Sequence, residues 1–344
     1  SDIGARLTAG LEKLSAKTRS GLVRIEIDTE LQPWPWLQQQ SHDQCLYWRS
    51  RSGDLEVAGI GRAHSADRGA GLGLTQVLAR LRQQLDLGTD DFRYYGGMAF
   101  DPTRPLTESW QTLSPVCFFV PRLELRREHE RMTCALNLHL PEDEPLLSGL
   151  LAQAVACFSQ VGQTAEETCE RLPFGPAVIR QLSPNRQQWW EQVTSLLREL
   201  DETQGKLVLA CKERVCFHDA LDAMTLFDRI KQGRADSYSF MFTAGQMAFM
   251  GMSPEQLYRR QGQRLFSEAL AGTRGSGVAL QDSIKENAEH DYVVRDVREA
   301  LASIGLALDT LPPKEVVYWN RLCHLRTQIS GRLPENLHDL DIIR

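Results

Sequence analysis

Tyr238-Ser239-Phe240-Met241-Phe242, then Thr243-Ala244-Gly245-Gln246, then Met247-Ala248-Phe249-Met250 is the stretch on which the fold turns. Two apolar, aromatic-rich runs separated by four turn-forming residues predict a β-hairpin. A second such unit follows at once, with Leu257 to Arg260 and Leu265 to Leu270 flanking Gln261-Gly262-Gln263. Upstream, Leu22 to Ile27 alternates, Cys45 to Trp48 and Val57 to Ile60 flank Ser52-Gly53-Asp54, and Val120 to Arg126 faces Met132 to Leu140. Connections this short join antiparallel neighbours, because parallel strands need a crossover of a dozen residues or more. The sheet is therefore expected to be mostly antiparallel.

Helical spacing interrupts the strands at Leu74-Val77-Leu78-Leu81 and at Leu147-Leu151-Val155. Ser183-Pro184 predicts the opening of an amphipathic helix with Trp189, Val193, Leu196 and Leu200 on one face. Further helices are expected over Leu221 to Ile230 and over Ile284 to Ile304, the latter with Val293, Val294, Val297 and Leu301 inward, before strands resume at Val316 to Trp319 and His324 to Ile329. No repeat, low-complexity stretch or flexible linker interrupts this order. The expected architecture is one α+β unit over 1–344, a large, β-sandwich-like antiparallel sheet core surrounded by helices. Residues 1–180 form its N-terminal part and residues 181–344 carry the candidate chemistry.

The bulk properties exclude several classes. With 42% hydrophobic residues, 344 residues can bury a large core, and a formal charge of -6 leaves no basic stripe for a phosphate backbone. Nucleic acid is not an expected partner. Neither is a membrane, since no apolar run reaches spanning length and the first residues lack a basic-then-apolar signal. The eight cysteines are scattered without CxxC spacing, which suits buried reduced thiols in a cytoplasmic protein.

Several residues stand out chemically. Lys206 heads the apolar run Gly205-Lys206-Leu207-Val208-Leu209-Ala210, read as a strand buried on both sides. Such a lysine either snorkels to solvent or, desolvated, has its pKa lowered into the range of a general base. Glu255 lies in Ser253-Pro254-Glu255, a combination equally suited to a helix cap or turn. Ser267-Glu268-Ala269-Leu270-Ala271-Gly272-Thr273 ends a strand in small residues, either a bulge or a place where backbone N–H groups meet an anion. Glu286 and Glu289, at i and i+3 on the long helix, share a face that is either solvated or able to hold Mg²⁺ through oxygen ligands and water. His324 is a lone strand histidine, by default a satisfied core residue.

Taken in order, Gly-Lys-Leu-Val-Leu-Ala (205–210), Gly-Met-Ser-Pro-Glu-Gln-Leu (251–257), Glu-Ala-Leu-Ala-Gly-Thr (268–273), Lys-Glu-Asn-Ala-Glu-His (285–290) and His-Leu (324–325) resemble the chorismate-utilising enzymes. The resemblance runs from about Trp189 to Gly331 and implies the fold of anthranilate synthase component I. Gly97-Met98-Ala99-Phe100-Asp101-Pro102 and Pro121-Arg122-Leu123-Glu124 look most like the isochorismate synthases of the menaquinone pathway. A lysine at 206, where ammonia-using relatives carry glutamine, implies water as nucleophile and no need for a glutaminase subunit. The resemblance implies Lys206 as the base that activates water for C2 of chorismate and Glu255 as the acid for the departing 4-hydroxyl. It further implies Gly272, Thr273 and His324 at the substrate, Glu289 as a Mg²⁺ ligand, and Glu286 supporting the metal through water.

Two departures qualify this expectation. The segment Arg274-Gly275-Ser276-Gly277-Val278 is shorter than in such enzymes, and Asp341-Ile342-Ile343-Arg344 ends where they enter a segment carrying a second acidic metal ligand and cationic groups. A polypeptide ending there is expected to keep its acid–base pair but to bind metal and substrate weakly. The alternatives are a salicylate synthase, a siderophore-branch isochorismate synthase, and a silent chorismate-binding protein.

Overall fold

A computed structural model describes residues 3–14, 20–67, 74–87, 91–107, 110–159, 175–199, 207–232, 236–275, 279–319 and 321–343. In chain order the elements are α1 (Ile3–Leu14), β1 (Gly21–Asp28), α2 (Pro33–Leu37), β2 (Cys45–Arg49), β3 (Leu55–Asp67), α3 (Leu74–Leu87), β4 (Tyr95–Met98), β5 (Val116–Glu128), β6 (Arg131–Leu140) and α4 (Leu147–Ser159). There follow β7 (Ala177–Ser183), α5 (Arg186–Glu199), β8 (Lys212–Phe217), α6 (Ala223–Lys231), β9 (Tyr238–Ala244) and β10 (Met247–Ser253). The chain closes with β11 (Arg259–Gln261), β12 (Arg264–Gly275), α7 (Ile284–Ser303), β13 (Ala307–Leu308), β14 (Glu315–Trp319), β15 (Leu322–Arg332) and α8 (Asp339–Ile342).

Contacts divide the chain into two compact units, residues 1–168 with 235–253 and residues 169–234 with 254–344. The hairpin β9–β10, which lies in the C-terminal half of the sequence, thus belongs with the first sheet. Its strand β9 pairs antiparallel with β2, Leu46 opposite Phe242 and Trp48 opposite Phe240. The first unit has the strand order β1-β6-β5-β3-β2-β9-β10, with β4 on β5, and every pairing is antiparallel. Its core gathers Leu46, Val57, Tyr95 and Phe119, with Trp48 and Phe242 against them. Trp36 of α2 stacks on Phe158 of α4 and donates its indole N–H to the Cys157 carbonyl.

In the second unit β11-β12-β15-β13 form an antiparallel sheet with β14 on β15. Leu265, Ala269, Leu301, Leu306, Ile329 and Leu333 make its core, against which Val293, Val294 and Val297 of α7 pack. The inward face expected for this helix is the one observed. Because side chains alternate across a strand, Leu265 and Ala269 of β12 and Ile329 of β15 turn toward α7. Phe266 and Glu268 of β12, and His324 and Arg326 of β15, turn to the opposite face.

The region 175–217 departs from expectation in two ways. Leu207 to Ala210 is not a strand; the ladder begins at Lys212, where β8 pairs with β7. Leu207 and Val208 are exposed rather than buried on both sides, because no strand among the described residues pairs with this run and a backbone without neighbours buries neither face. Helix α5 begins at Arg186, two residues after Pro184, and Ser183 ends β7. Its face of Trp189, Val193 and Leu196 is half-buried. Among the described cysteines Cys45, Cys134 and Cys323 are buried and all are free thiols, while Cys211 is exposed, against the expectation of burial. No helix among the described residues is long and apolar enough to cross a membrane.

Candidate active site

The candidate site is built on a defect in the β12–β15 ladder. Register shifts between Ala271 and Thr273, and the extra residue, Gly272, has φ +74°. A Cβ there would stand 3.0 Å from the Glu286 carbonyl oxygen and 3.2 Å from the Glu286 Cβ. Glycine is thus required twice, for its left-handed backbone and for the close approach of α7. The small-residue run ending in Gly272-Thr273 is a bulge, and it also redirects a backbone N–H.

That N–H belongs to Thr273 and donates to Glu286 Oε2 at 3.1 Å. Glu286 is buried, one turn into α7, whose N-cap is Ser283. The Arg274 guanidinium lies 3.8 Å from Glu286 Oε1 and donates to Ser283 Oγ at 3.0 Å. A helix N-terminus, a backbone donor and a nearby cation thus converge on this carboxylate. Opposite Thr273 on β15 stands His324, whose Nδ1 lies 3.0 Å from Thr273 Oγ1. Burial pushes the His324 pKa down, partly opposed by the Gly272 carbonyl, so the ring is neutral and can exchange donor and acceptor roles with the hydroxyl. Trp319 of β14 flanks the ring, 6.4 Å between centroids.

Gly272, Thr273, Glu286 and His324 are therefore neighbours in the structure. Glu289 lies one turn further along α7 and is half-buried. Glu255 is exposed in the irregular segment between β10 and β11. Lys206 lies outside the described residues. Among those residues no group of three or more histidine, cysteine, aspartate or glutamate side chains is arranged to hold a metal ion, so Glu286 and Glu289 are a pair of carboxylates without a third protein ligand from this set.

Three polar groups near this site, two of them inside the quoted motifs, have no role in the sequence reading. His290 is buried, with Nε2 2.7 Å from the Thr327 hydroxyl of β15, and ties the carboxylate-bearing turn of α7 to the sheet. Arg326 donates to Glu315 Oε1 at 2.8 Å, beside His324 on the face away from α7. Glu268 is buried in the middle of β12. The signal for Glu268 was present as an ionisable residue between apolar neighbours in a strand, the argument that singles out Lys206.

The first unit holds a cavity of about 280 Å³ lined by His42, Gln44, Ile60, Arg62, Arg122 and Gln153 among others, and none of the candidate residues. Arg122 there is paired with Asp143.

Bulged strand, small-residue turn and carboxylate-bearing helix meet here in a mixed α/antiparallel-β fold. A family model described as "chorismate binding enzyme" matches residues 9–344, and the chain belongs to that family. It is 29% identical over 257 residues to the salicylate biosynthesis isochorismate synthase of Pseudomonas aeruginosa, covering 71% of this chain and 53% of that protein. It is 27% identical over 269 residues to the chloroplastic isochorismate synthase of Catharanthus roseus, covering 73% and 46%. The chain thus spans about half the length of these curated relatives. Among solved structures it is similar to MenF, the menaquinone-specific isochorismate synthase from Escherichia coli, with a TM-score of 0.75 at 25% identity over 98% of this chain and 78% of that one. The expected chorismate-utilising fold is the fold observed.

Proposed function

We propose that this chain converts chorismate to isochorismate and serves menaquinone biosynthesis. The observation that carries the reading is the bulge at Gly272, where the Thr273 N–H, the Thr273–His324 pair and the buried Glu286 meet on a scaffold that matches MenF over 98% of this chain. Water adds at C2 of the ring, the double bonds shift, and the 4-hydroxyl leaves, so the reaction is an isomerisation with no net gain or loss of atoms. Lys206 takes the proton from the attacking water, and Glu255 gives a proton to the departing hydroxyl. Two groups acting at opposite ends of one allylic system need opposite protonation states at the same pH, which separate environments can supply. Glu255, exposed on an irregular segment, exchanges protons readily with solvent between turnovers.

The donor set also fits Mg²⁺. This ion accepts one or two protein carboxylates and keeps several waters. Glu289 would bind it directly, while Glu286, whose Oε2 already accepts the Thr273 N–H, would act through water. When bound, the metal would neutralise the ring carboxylate. The bulge residues orient that carboxylate, and neutral His324 with Thr273 offers a paired donor and acceptor to the ring substituents. The reaction takes place in the cytoplasm and uses no glutaminase, since water and not ammonia is the nucleophile.

Incubation with chorismate and Mg²⁺, followed by chromatographic separation, tests this. Isochorismate accumulating in wild type and absent in Lys206→Ala is the expected result. Salicylate and pyruvate as end products would assign a salicylate synthase instead, and chorismate binding with no turnover would assign a silent binding protein.

A further inference from the structure

The segment that carries Glu255 has neither helix nor ladder of its own, yet it is tied to β12 at three points. The Gln256 backbone N–H donates to Glu268 Oε1 at 3.0 Å. The Gln256 side-chain amide donates to the Phe266 carbonyl at 3.1 Å, and the Ser267 hydroxyl donates to the Leu257 carbonyl at 2.7 Å. Glu268 is 6% exposed. Burying a carboxylate is unfavourable unless its oxygens are satisfied, and a backbone N–H could be met by a serine or a water. Here the carboxylate meets the amide directly after Glu255, while Arg326 Nη1 stands 3.9 Å from its other oxygen. Arg326 shares the sheet face of His324. One buried charge thus links the Glu255 segment to the strand pair that holds the bulge.

We propose that Glu268 is the positioning residue for Glu255: its carboxylate clamps the Gln256 N–H and sets where the acid stands relative to the Thr273–His324 face. The proposal deepens the function reading above and rests on Glu255 as the acid. A hydrogen bond to a charged acceptor is stronger than one to a neutral amide. The variant Glu268→Gln keeps an oxygen for Gln256 and loses the charge, and Glu268→Leu loses both. Misplacement of a reacting group by about 1 Å costs up to about 100-fold.

Steady-state kinetics with chorismate tests this in a double-mutant cycle. Glu268→Leu is expected to lower kcat by about 10- to 100-fold with KM changed less than about threefold, and Glu268→Gln to recover most of the loss. In a Glu255→Gln background both substitutions are expected to have no further effect on kcat, which a merely structural role would not produce. Additive losses in that cycle, or a raised KM at unchanged kcat, would overturn the proposal. If Glu268→Leu does not fold, the cycle with Glu268→Gln decides. Hydrogen exchange over residues 252–258 provides a readout free of chemistry: faster exchange of this segment in the Glu268 variants is expected, and unchanged protection overturns the clamp. A wild type that exchanges as expected but leaves chorismate unconverted would sink the function reading and leave the clamp standing.

Discussion

The two units treat their buried charges in opposite ways. In the first, Arg24 and Arg126 both pair with Glu124, whose side chain is 0% exposed. Asn137 accepts from Arg24 and donates to the Pro121 carbonyl, and Arg126 continues to Asp91. This is a side-chain network within a sheet, in which both cations converge on Glu124 Oε1 while Glu124 Oε2 is buried without a hydrogen-bond partner among the described residues. In the second unit three buried ionisable groups tie elements together: Glu286 takes the Thr273 N–H, Glu268 takes the Gln256 N–H, and His290 Nε2 shares a hydrogen bond with the Thr327 hydroxyl. A network of side chains inside a sheet specifies one arrangement of a core. Carboxylates spent on backbone N–H groups instead define where a loop stops, which a site for a small ligand needs.

The sharpest test removes the chemistry without touching either network. Glu255→Gln, at an exposed position, is expected to lower turnover by about 10²- to 10⁴-fold with an unchanged unfolding midpoint; comparable activity in the variant would break the assignment of roles to the two units. Next in size is the first unit's network. Glu124→Ala leaves two guanidiniums buried around a vacated carboxylate, and a loss of about 3–5 kcal/mol in denaturant unfolding is expected. A loss below about 1 kcal/mol would show that the two guanidiniums find other acceptors without Glu124.

A smaller effect comes from pH. His324 has its pKa lowered chiefly by burial, and His64 of the first unit likewise, by burial and then by the neighbouring His139. An unfolded histidine titrates near about 6.5, so below that value the unfolded chain takes up protons before the folded one. The stability due to the neutral rings is present above about pH 6.5 and is lost as pH falls toward the lowered folded values. The unfolding midpoint is therefore expected to drop with acid, less steeply in His324→Asn and in His64→Asn. An unchanged slope in both would remove these two histidines from the account. The smallest effect is expected in region 175–217, where Trp190 of α5 is 69% exposed. Trp190→Ser should change stability by less than about 0.5 kcal/mol, and a larger loss would show that this face is covered in solution.

Much of both units was readable before any coordinates. The hairpin over 238–250, the turn at Gly262, and α7 with its valine face all follow from alternation, turn residues and helical spacing acting over a few neighbours. Lys206 illustrates the limit of such reading. The run after it is apolar enough for a buried strand, yet it joins no ladder among the described residues, because pairing requires a partner that the run does not encode. At Gly272 the sequence offered a bulge or an anion-binding backbone as alternatives. The bulge is observed, and its freed N–H goes to Glu286 of the chain itself.

What the sequence alone determined is the kind and order of elements and the chemistry-bearing positions, because propensity, periodicity and residue type are local properties. Tertiary structure decided the rest. It placed β9 beside β2 across almost two hundred residues, gave the Thr273 N–H to Glu286, and buried Glu268 under the segment that carries Glu255. Each is a long-range pairing fixed by which surfaces bury together and which donors must then find acceptors, and no window of neighbouring residues contains that information.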